Sequence, residues 1–444
     1  MNGYLRRWGT GVTAALAMAL LTTACLPKGL NLPQSPLLPV LERKSGLVAY
    51  LGTDANIYTV DQSGNKPAQV TKDADLEGNS VLFYSIPAWA PDSQSLAFVG
   101  YKGQRDGSEL PTISLFVAPK DGSTLTPAYS SGNDVIYYYW APDGQRVAFL
   151  TSTPSQSLAL KLVSPSGGEV ETLDIGAPFY WSWAPDSHSV LVHIGAQDSH
   201  LSLLQLGETV TENSLDIKPA SFRAPAYSPD GSHMLVAGEG AEGKPALLLA
   251  DTTGGDLQTI TEYVGNIAFA WSPDSTRIAY TTSDDSSLSG LGGHLTVVDP
   301  SGKKKPVELK DKVVYAFFWS PDSKSIAYFA AHEEPAPTPK PGESSEGEQP
   351  QIVWELSVMD SKGQDTHPVL SPIVPTEHFF RLVPYFDQYH QSATIWSPDS
   401  RNLVVSMYYR KNGEVVPGIF VLAASGNLEP RYIADGWVAA WSWK

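Results

Sequence analysis

A five-residue phrase recurs along this chain at near-regular intervals, and no other feature restricts the possible fold so tightly. It reads Trp89-Ala90-Pro91-Asp92-Ser93, Trp140-Ala141-Pro142-Asp143-Gly144, Trp183-Ala184-Pro185-Asp186-Ser187 and Tyr227-Ser228-Pro229-Asp230-Gly231. It continues as Trp271-Ser272-Pro273-Asp274-Ser275, Trp319-Ser320-Pro321-Asp322-Ser323 and Trp396-Ser397-Pro398-Asp399-Ser400. The aromatic positions lie 51, 43, 44, 44, 48 and 77 residues apart, and Trp441-Ser442 follows 45 residues after the last. Each copy has the same local logic. An aromatic run ends at the Trp, and Pro then fixes φ at the second position of a tight turn, where it has no ladder hydrogen bond to give. A β-branched run follows at 95–99, 146–150, 189–193, 278–281, 326–329 and 403–406. A third run ends in Asp or Ser with Gly, as at 295–302 and 356–363, and a short fourth run follows, as at 257–261. The aspartates Asp92, Asp143, Asp186, Asp230, Asp274, Asp322 and Asp399 read as turn formers, because side-chain capping of a turn accounts for them fully.

Four short strands per repeat, none able to cover its own two faces, predict an all-β fold in which the sheets stack radially as the blades of a β-propeller. The composition agrees: 37 Gly, 35 Pro, 12 Trp and 20 Tyr with 17% charged residues suit strands and turns rather than long helices. The chain ends supply one further unit. Residues 47–50, 56–64 and 68–71 match second, third and fourth strands with no phrase before them, and the missing first strand stands at 437–443. Pairing the C-terminal strand with the N-terminal strands closes the ring and removes two open edges, giving eight blades. Seven blades with one degenerate unit is the alternative count.

These repeats resemble the WD-like units of TolB-type propellers, also found in the propeller portions of prolyl oligopeptidase and tricorn relatives. The resemblance covers residues 46–444 and implies the fold and a TolB-like binding role, although one fold hosts many activities. TolB places an α/β domain before its propeller and the peptidases add a hydrolase domain; neither is expected here, where residues 26–45 separate Cys25 from the first strand.

The first 24 residues read as an export signal. Arg6 and Arg7 form a positive start, and an apolar run at 9–21 is too short for a membrane span. Leu21-Thr22-Thr23-Ala24-Cys25 resembles the lipobox of bacterial lipoproteins, departing from it at Thr22. The resemblance implies cleavage before Cys25, a covalent lipid on its thiol, and residues 25–45 as a tether. Cys25 is the sole cysteine, so the exported domain has no intramolecular disulfide. Removing residues 1–24 takes two of the 30 basic residues and none of the 47 acidic ones, leaving a net charge of −19. That balance excludes a phosphate-backbone ligand, so no nucleic acid is expected.

Catalytic motifs are absent from the sequence: there is no Gly-x-Ser-x-Gly elbow, no His-Glu-x-x-His pair and no phosphate-cradling loop. Asp73-Ala74-Asp75-Leu76-Glu77-Gly78 has the early spacing of a calcium loop, but Tyr84 stands where the bidentate acid belongs, so the segment reads as a solvated acidic loop and no metal or other cofactor is expected. Two insertions lengthen the 77-residue interval. Residues 331–352, rich in Pro and acid, read as a disordered loop between second and third strands. Residues 372–393 read as an inter-blade connection dense in aromatic and charged groups. Its Phe379, Phe380, Arg381, Tyr385, Phe386, Asp387, Tyr389 and His390 are the candidate binding residues, weighed against their use as a plug on the ring. Tyr137-Tyr138-Tyr139 and Phe179-Tyr180-Trp181 read as blade packing rather than a ligand platform.

The sequence reading is therefore a monomeric, lipid-anchored propeller on the extracytoplasmic side of a bacterial cell membrane or outer membrane, binding an envelope protein, peptide or glycan without catalysis. The alternatives are a hydrolase or lyase acting on a glycan or peptide in the central channel, and a structural envelope component.

Overall fold

The computed structural model describes residues 44–195, 199–283, 292–334 and 351–444. Cys25, residues 1–24 and residues 25–43 of the expected tether lie outside them. The described residues are predominantly antiparallel β, and their strands group by their pairings into eight units. The second to fifth each begin at an inner strand ending in the repeat aromatic: Ala88–Trp89, Val135–Trp140, Phe179–Trp183 and Ala226–Tyr227. In the third unit, for example, Val135–Trp140 is followed outward by Val147–Ser152, Leu158–Val163 and Val170–Gly176.

Long strands pass from one unit to the next. Val307–Trp319 is the outer strand of the sixth unit in its first part and the inner strand of the seventh in its second, pairing Val297 with Val307 and then Phe318 with Ala327. Arg431–Trp441 does the same between the chain ends. Its first part pairs with Glu414–Ala423, Val421 opposite Arg431, and its second with Val48–Gly52, Leu51 opposite Val438 and Val48 opposite Trp441. The C-terminal residues are thus the inner strand on which the N-terminal strands are laid. In the eighth unit the inner position is held by residues 394–396, joined through bridges of Trp396 to Leu403 and Thr394 to Trp441.

Each apolar core lies between sheets rather than within one. Leu150 and Leu160 of the third unit pack on Trp181 and Val192 of the fourth, and Leu191 and Leu203 of the fourth on Met234 and Val236 of the fifth. Val404 and Val421 of the eighth meet Val48 and Val60 of the first, so the series returns to its start. Fully burying side chains such as Phe98, Phe149, Phe269 and Phe329 stabilises by about 1.5–3 kcal/mol each.

Polar bonds run around the circle on the turn face. At several junctions the indole Nε1 of the repeat Trp donates to a backbone carbonyl of the preceding unit, Trp140 to Ala88 at 3.1 Å, Trp271 to Ala226 at 3.3 Å and Trp396 to Phe318 at 2.8 Å, whereas Trp183 and Trp319 Nε1 have no such partner. The fifth repeat residue adds a second link. Its hydroxyl accepts from the repeat Asp N–H of the preceding unit: Ser187 from Asp143 at 2.9 Å, Ser275 from Asp230 at 3.0 Å, Ser323 from Asp274 at 3.0 Å and Ser400 from Asp322 at 3.1 Å. The chain ends complete the pattern, Ser45 accepting from Asp399 N at 3.1 Å and Ser93 from Lys444 N at 2.9 Å. Where the fifth residue is Gly144 or Gly231 there is no hydroxyl to offer. This position has φ near +60° to +70° in every copy, which favours glycine; the serines hold it at a conformational cost that the inter-unit bond offsets.

The two insertions differ from expectation at their edges. Strands Ser325–Glu334 and Gln351–Asp360 pair across ten positions, out to Glu334 opposite Gln351, so both ends of 331–352 belong to a hairpin rather than to a loop. Residues 335–350 lie outside the described residues. Similarly, Thr366–Ile373 carries its strand into the start of 372–393.

Ser187 is fully buried with φ +63°. Ser187→Ala is expected to lower stability by about 1 kcal/mol through loss of the Asp143 bond. Ser187→Gly loses the same bond but relieves the backbone, so it should melt above the Ala variant; the opposite order in thermal unfolding would sink this account.

Candidate functional site

Inner strands of a propeller expose one unpaired edge to the central channel, and each exposed N–H or C=O there needs a partner. Residues 374–393 supply several. The segment leaves the outer strand of the seventh unit, forms helical turns at Glu377–Phe380, Val383–Tyr385 and Phe386–Tyr389, and returns to the inner position of the eighth. Thr376 caps the first turn by accepting from Phe379 N and donates its hydroxyl to Trp437 O, while Trp441 N donates to Thr394 O at 2.9 Å.

The buried polar side chains of the segment address inner-strand backbone. Gln388 Oε1 accepts from Trp181 N at 3.0 Å and its Nε2 donates to Trp181 O at 2.9 Å, as a neighbouring strand would. Asp387 Oδ2 accepts from Ala224 N at 3.1 Å, and Gln391 Nε2 donates to Pro225 O at 3.1 Å. Tyr137 Oη donates to Gln388 O at 3.0 Å and Tyr139 Oη to Gln391 Oε1 at 3.3 Å.

This arrangement divides the predicted binding residues. Phe379 and Phe386 are core, their rings 5.0 Å from Phe329 and 4.8 Å from Phe317. Asp387 is 2% exposed, and burial raises its pKa, with Arg223 opposing. His390 Nε2 is shielded and without a hydrogen-bond partner, and burial lowers the ring to about 4, so the imidazole is neutral at neutral pH. Phe380, against the edge of Trp354, and Tyr385 stay outside at 46% and 57% exposure, and Arg381 is exposed. Tyr389 faces a cavity. Gln388 and Gln391, which hold the segment in place, carried no signal in the sequence; each is a lone amide among aromatics.

The segment separates two cavities. On the turn face a funnel of about 490 Å³ is walled by repeat aromatics such as Trp89, Trp140, Trp183 and Trp271 and by turn prolines such as Pro142 and Pro185, with His390 to Thr394 as its floor. On the opposite face a cavity of about 550 Å³ lies between the segment and the second to fourth units, at the starts of their inner strands. Tyr137 and Tyr180, read from sequence as blade packing, line this second cavity. Phe222, on the connection into the fifth unit, stacks on Tyr180 at 4.5 Å. Neither wall holds Asp, Glu, Lys, Arg or Cys, and His390 is the one imidazole between them.

Other chemically able groups lie elsewhere. Asp174, His200 and Glu212 bring one ligand atom each within 4.8 Å of one another on outer strands, where Glu212 Oε1 already accepts from Ser202 Oγ at 2.7 Å. In the calcium-like loop, Asp75 Oδ1 accepts from the N–H groups of Glu77 and Gly78, and Asp73 Oδ1 from Tyr84 Oη. His193, buried and lowered in pKa by that burial, has Nδ1 2.8 Å from Arg223 O and Nε2 3.3 Å from Ser199 Oγ.

The radial sheets, their shared long strands and the filled channel define a β-propeller. No protein-family profile matches the chain. Over 223 residues it is 26% identical to YuxL, an uncharacterized peptidase of Bacillus subtilis (strain 168), an alignment covering 47% of this chain and 31% of that protein. Among solved structures it is similar to TolB from Acinetobacter baumannii, with 19% identity, 58% of this chain and 62% of that one covered, and a TM-score of 0.37. It is also similar to the β-propeller domain of the Trilobed protease from Pyrococcus furiosus, with 12% identity, coverage of 80% and 98%, and a TM-score of 0.48. The chain spans less than a third of YuxL and less than two thirds of that TolB.

His390 is lowered in the folded state to about 4 from an ordinary value near 6.5. Its neutral burial contributes stability above the ordinary value that is lost as pH falls from about 6.5 towards 4. Relative to His390→Asn, the wild-type melting temperature should drop progressively across that window; a constant offset would contradict the burial argument. Asp387→Asn keeps an acceptor for Ala224 N without an ionisable group, so it should melt at or above wild type at neutral pH, with Asp387→Ala below both.

Proposed function

We propose that the chain is a lipid-anchored, extracytoplasmic recognition propeller that binds a protein, peptide or glycan of the bacterial envelope without catalysis, held to the cell membrane or outer membrane through diacylglycerol on Cys25. The observation that carries the binding reading is the uncharged character of both cavities beside the plugged channel. General acid–base chemistry needs a positioned group titrating near the working pH. The walls offer tyrosines and the neutral His390, while the buried carboxylate of Asp387 and the amides of Gln388 and Gln391 are committed to backbone. A rigid ring presenting aromatic surface suits recognition. Among the described residues no helix is long and apolar enough to cross a membrane, so attachment in this reading rests on the acyl chains.

The rival reading, hydrolysis, has one feature in its favour: the Ser199–His193 pair. His193 Nδ1 faces a backbone carbonyl rather than a carboxylate that would stabilise an imidazolium, which leaves the hydroxyl weakly activated.

Cys25→Ser is expected to move the protein from the membrane fraction to the soluble fraction of fractionated cells; continued sedimentation with membranes would count against the anchor. A serine-directed fluorophosphonate should leave Ser199 unlabelled by mass spectrometry, and stoichiometric labelling that is lost in His193→Ala would favour the hydrolase. Cross-linking on intact cells should capture one stoichiometric envelope partner through residues of the funnel or the opposite cavity.

A further inference from the structure

We infer that the cavity between the plug and the second to fourth units takes an uncharged aromatic side chain of a peptide, together with its flanking peptide groups. This rests on the recognition reading above and names the ligand chemistry of one of its two cavities.

The volume of about 550 Å³ falls in the range of ligand pockets, and its walls are ring faces and aliphatic carbon, among them Phe179, Tyr180, Phe222 and Tyr389. In a chain of net charge −17 no lining residue carries a charge, so a buried cation or anion would find no counter-charge there. The polar atoms of the wall divide into two sets. Tyr138 Oη is engaged with Ser85 and Ile86 O, and Tyr137 Oη with Gln388 O. The hydroxyls of Tyr180 and Tyr389 within the cavity, and of Tyr385 at its rim, make no hydrogen bond to the protein among the described residues.

Two free phenols in an aromatic wall select among neutral ligands. An acyl chain would fill the cavity but leave both hydroxyls desolvated and unpaired, at about 1–3 kcal/mol each. A sugar would pair with them and still bury several hydroxyls of its own against carbon. A peptide bearing an aromatic residue meets both demands, its ring on the Tyr180–Phe222 stack, where the centroids lie 4.5 Å apart, and its N–H and C=O groups on the phenols. Tyr385 and Ile136, 57% and 56% exposed, stand at the rim where such a peptide would enter.

The test is saturation-transfer NMR on the full chain with four probes: acetyl-Gly-Phe-Gly-amide, acetyl-Gly-Glu-Gly-amide, chitobiose and octanoate. The Phe peptide should receive at least fivefold more saturation than each of the others. Ile136→Lys and Tyr385→Ala, both at exposed positions, should reduce it at least threefold with unchanged melting temperature. Equal or stronger transfer to the Glu peptide, chitobiose or octanoate, or full retention in both variants, overturns the assignment. If the Phe peptide fails while cross-linking still captures a stoichiometric partner through funnel residues, the cavity assignment falls and the recognition reading stands. If serine-directed labelling identifies a nucleophile, the recognition reading itself falls.

Discussion

Every sheet in this molecule has two apolar faces and can bury them only against a neighbour on either side, so a closed circle is the arrangement that leaves none uncovered. That condition gives the strand at 431–441 its importance. Its first part completes the last sheet and its second part begins the first, so the same backbone that ends the chain is the inner strand on which residues 48–52 are laid. Backbone pairing, the apolar junction of Val404 and Val421 with Val48 and Val60, and the acceptance by Ser45 from Asp399 N all act at this one seam.

Closing the circle creates a second problem, an inner wall of strand edges around a channel. Here the 374–393 segment answers it with side chains. Gln388 pairs with both backbone groups of Trp181, Asp387 with Ala224 N, and Gln391 with Pro225 O. Because the polar atoms of the segment point at backbone, carbon and ring faces are left to line the cavities on either side. The uncharged character of those cavities thus follows from how the channel is filled.

The repeat phrase made the fold legible because its spacing equals the length of four short strands and their turns, and because the one unit lacking a phrase had its missing strand at the opposite end. What the phrase concealed was the division of labour at its fifth position. Serine and glycine are interchangeable as turn residues in a sequence, yet in space Ser187, Ser275, Ser323 and Ser400 reach the previous sheet and Gly144 and Gly231 cannot. The plug was legible as an aromatic cluster but not as a set of roles: hydrophobicity alone does not separate Phe386, packed on Phe317, from Tyr385 at a rim, and nothing in composition marks Gln388. At 331–334 and 351–352 acidic and Pro-rich neighbours mask a hairpin whose ladder runs out to Glu334 opposite Gln351.

The junctions between sheets are unequally linked, and several of the plug's buried polar contacts fall at the least linked of those between the second and sixth sheets. Between the fifth and sixth sheets both links are present, Trp271 to Ala226 and Ser275 to Asp230. The second–third junction has the indole bond of Trp140 but Gly144 in place of a serine, and the third–fourth has Ser187 while Trp183 Nε1 is unpaired. The fourth–fifth junction has neither, since Tyr227 replaces the Trp and Gly231 the Ser; Tyr227 N instead donates to Ser182 Oγ at 3.3 Å. It is across this junction that the segment lays its buried polar groups, Gln388 on Trp181 of the fourth sheet and Asp387 and Gln391 on Ala224 and Pro225 leading into the fifth. The apolar cavity beside the fourth sheet has Phe222 of that same connection in its wall, next to the junction that the plug reinforces. A ligand in that cavity would bear on the plug and on the seam it spans at once.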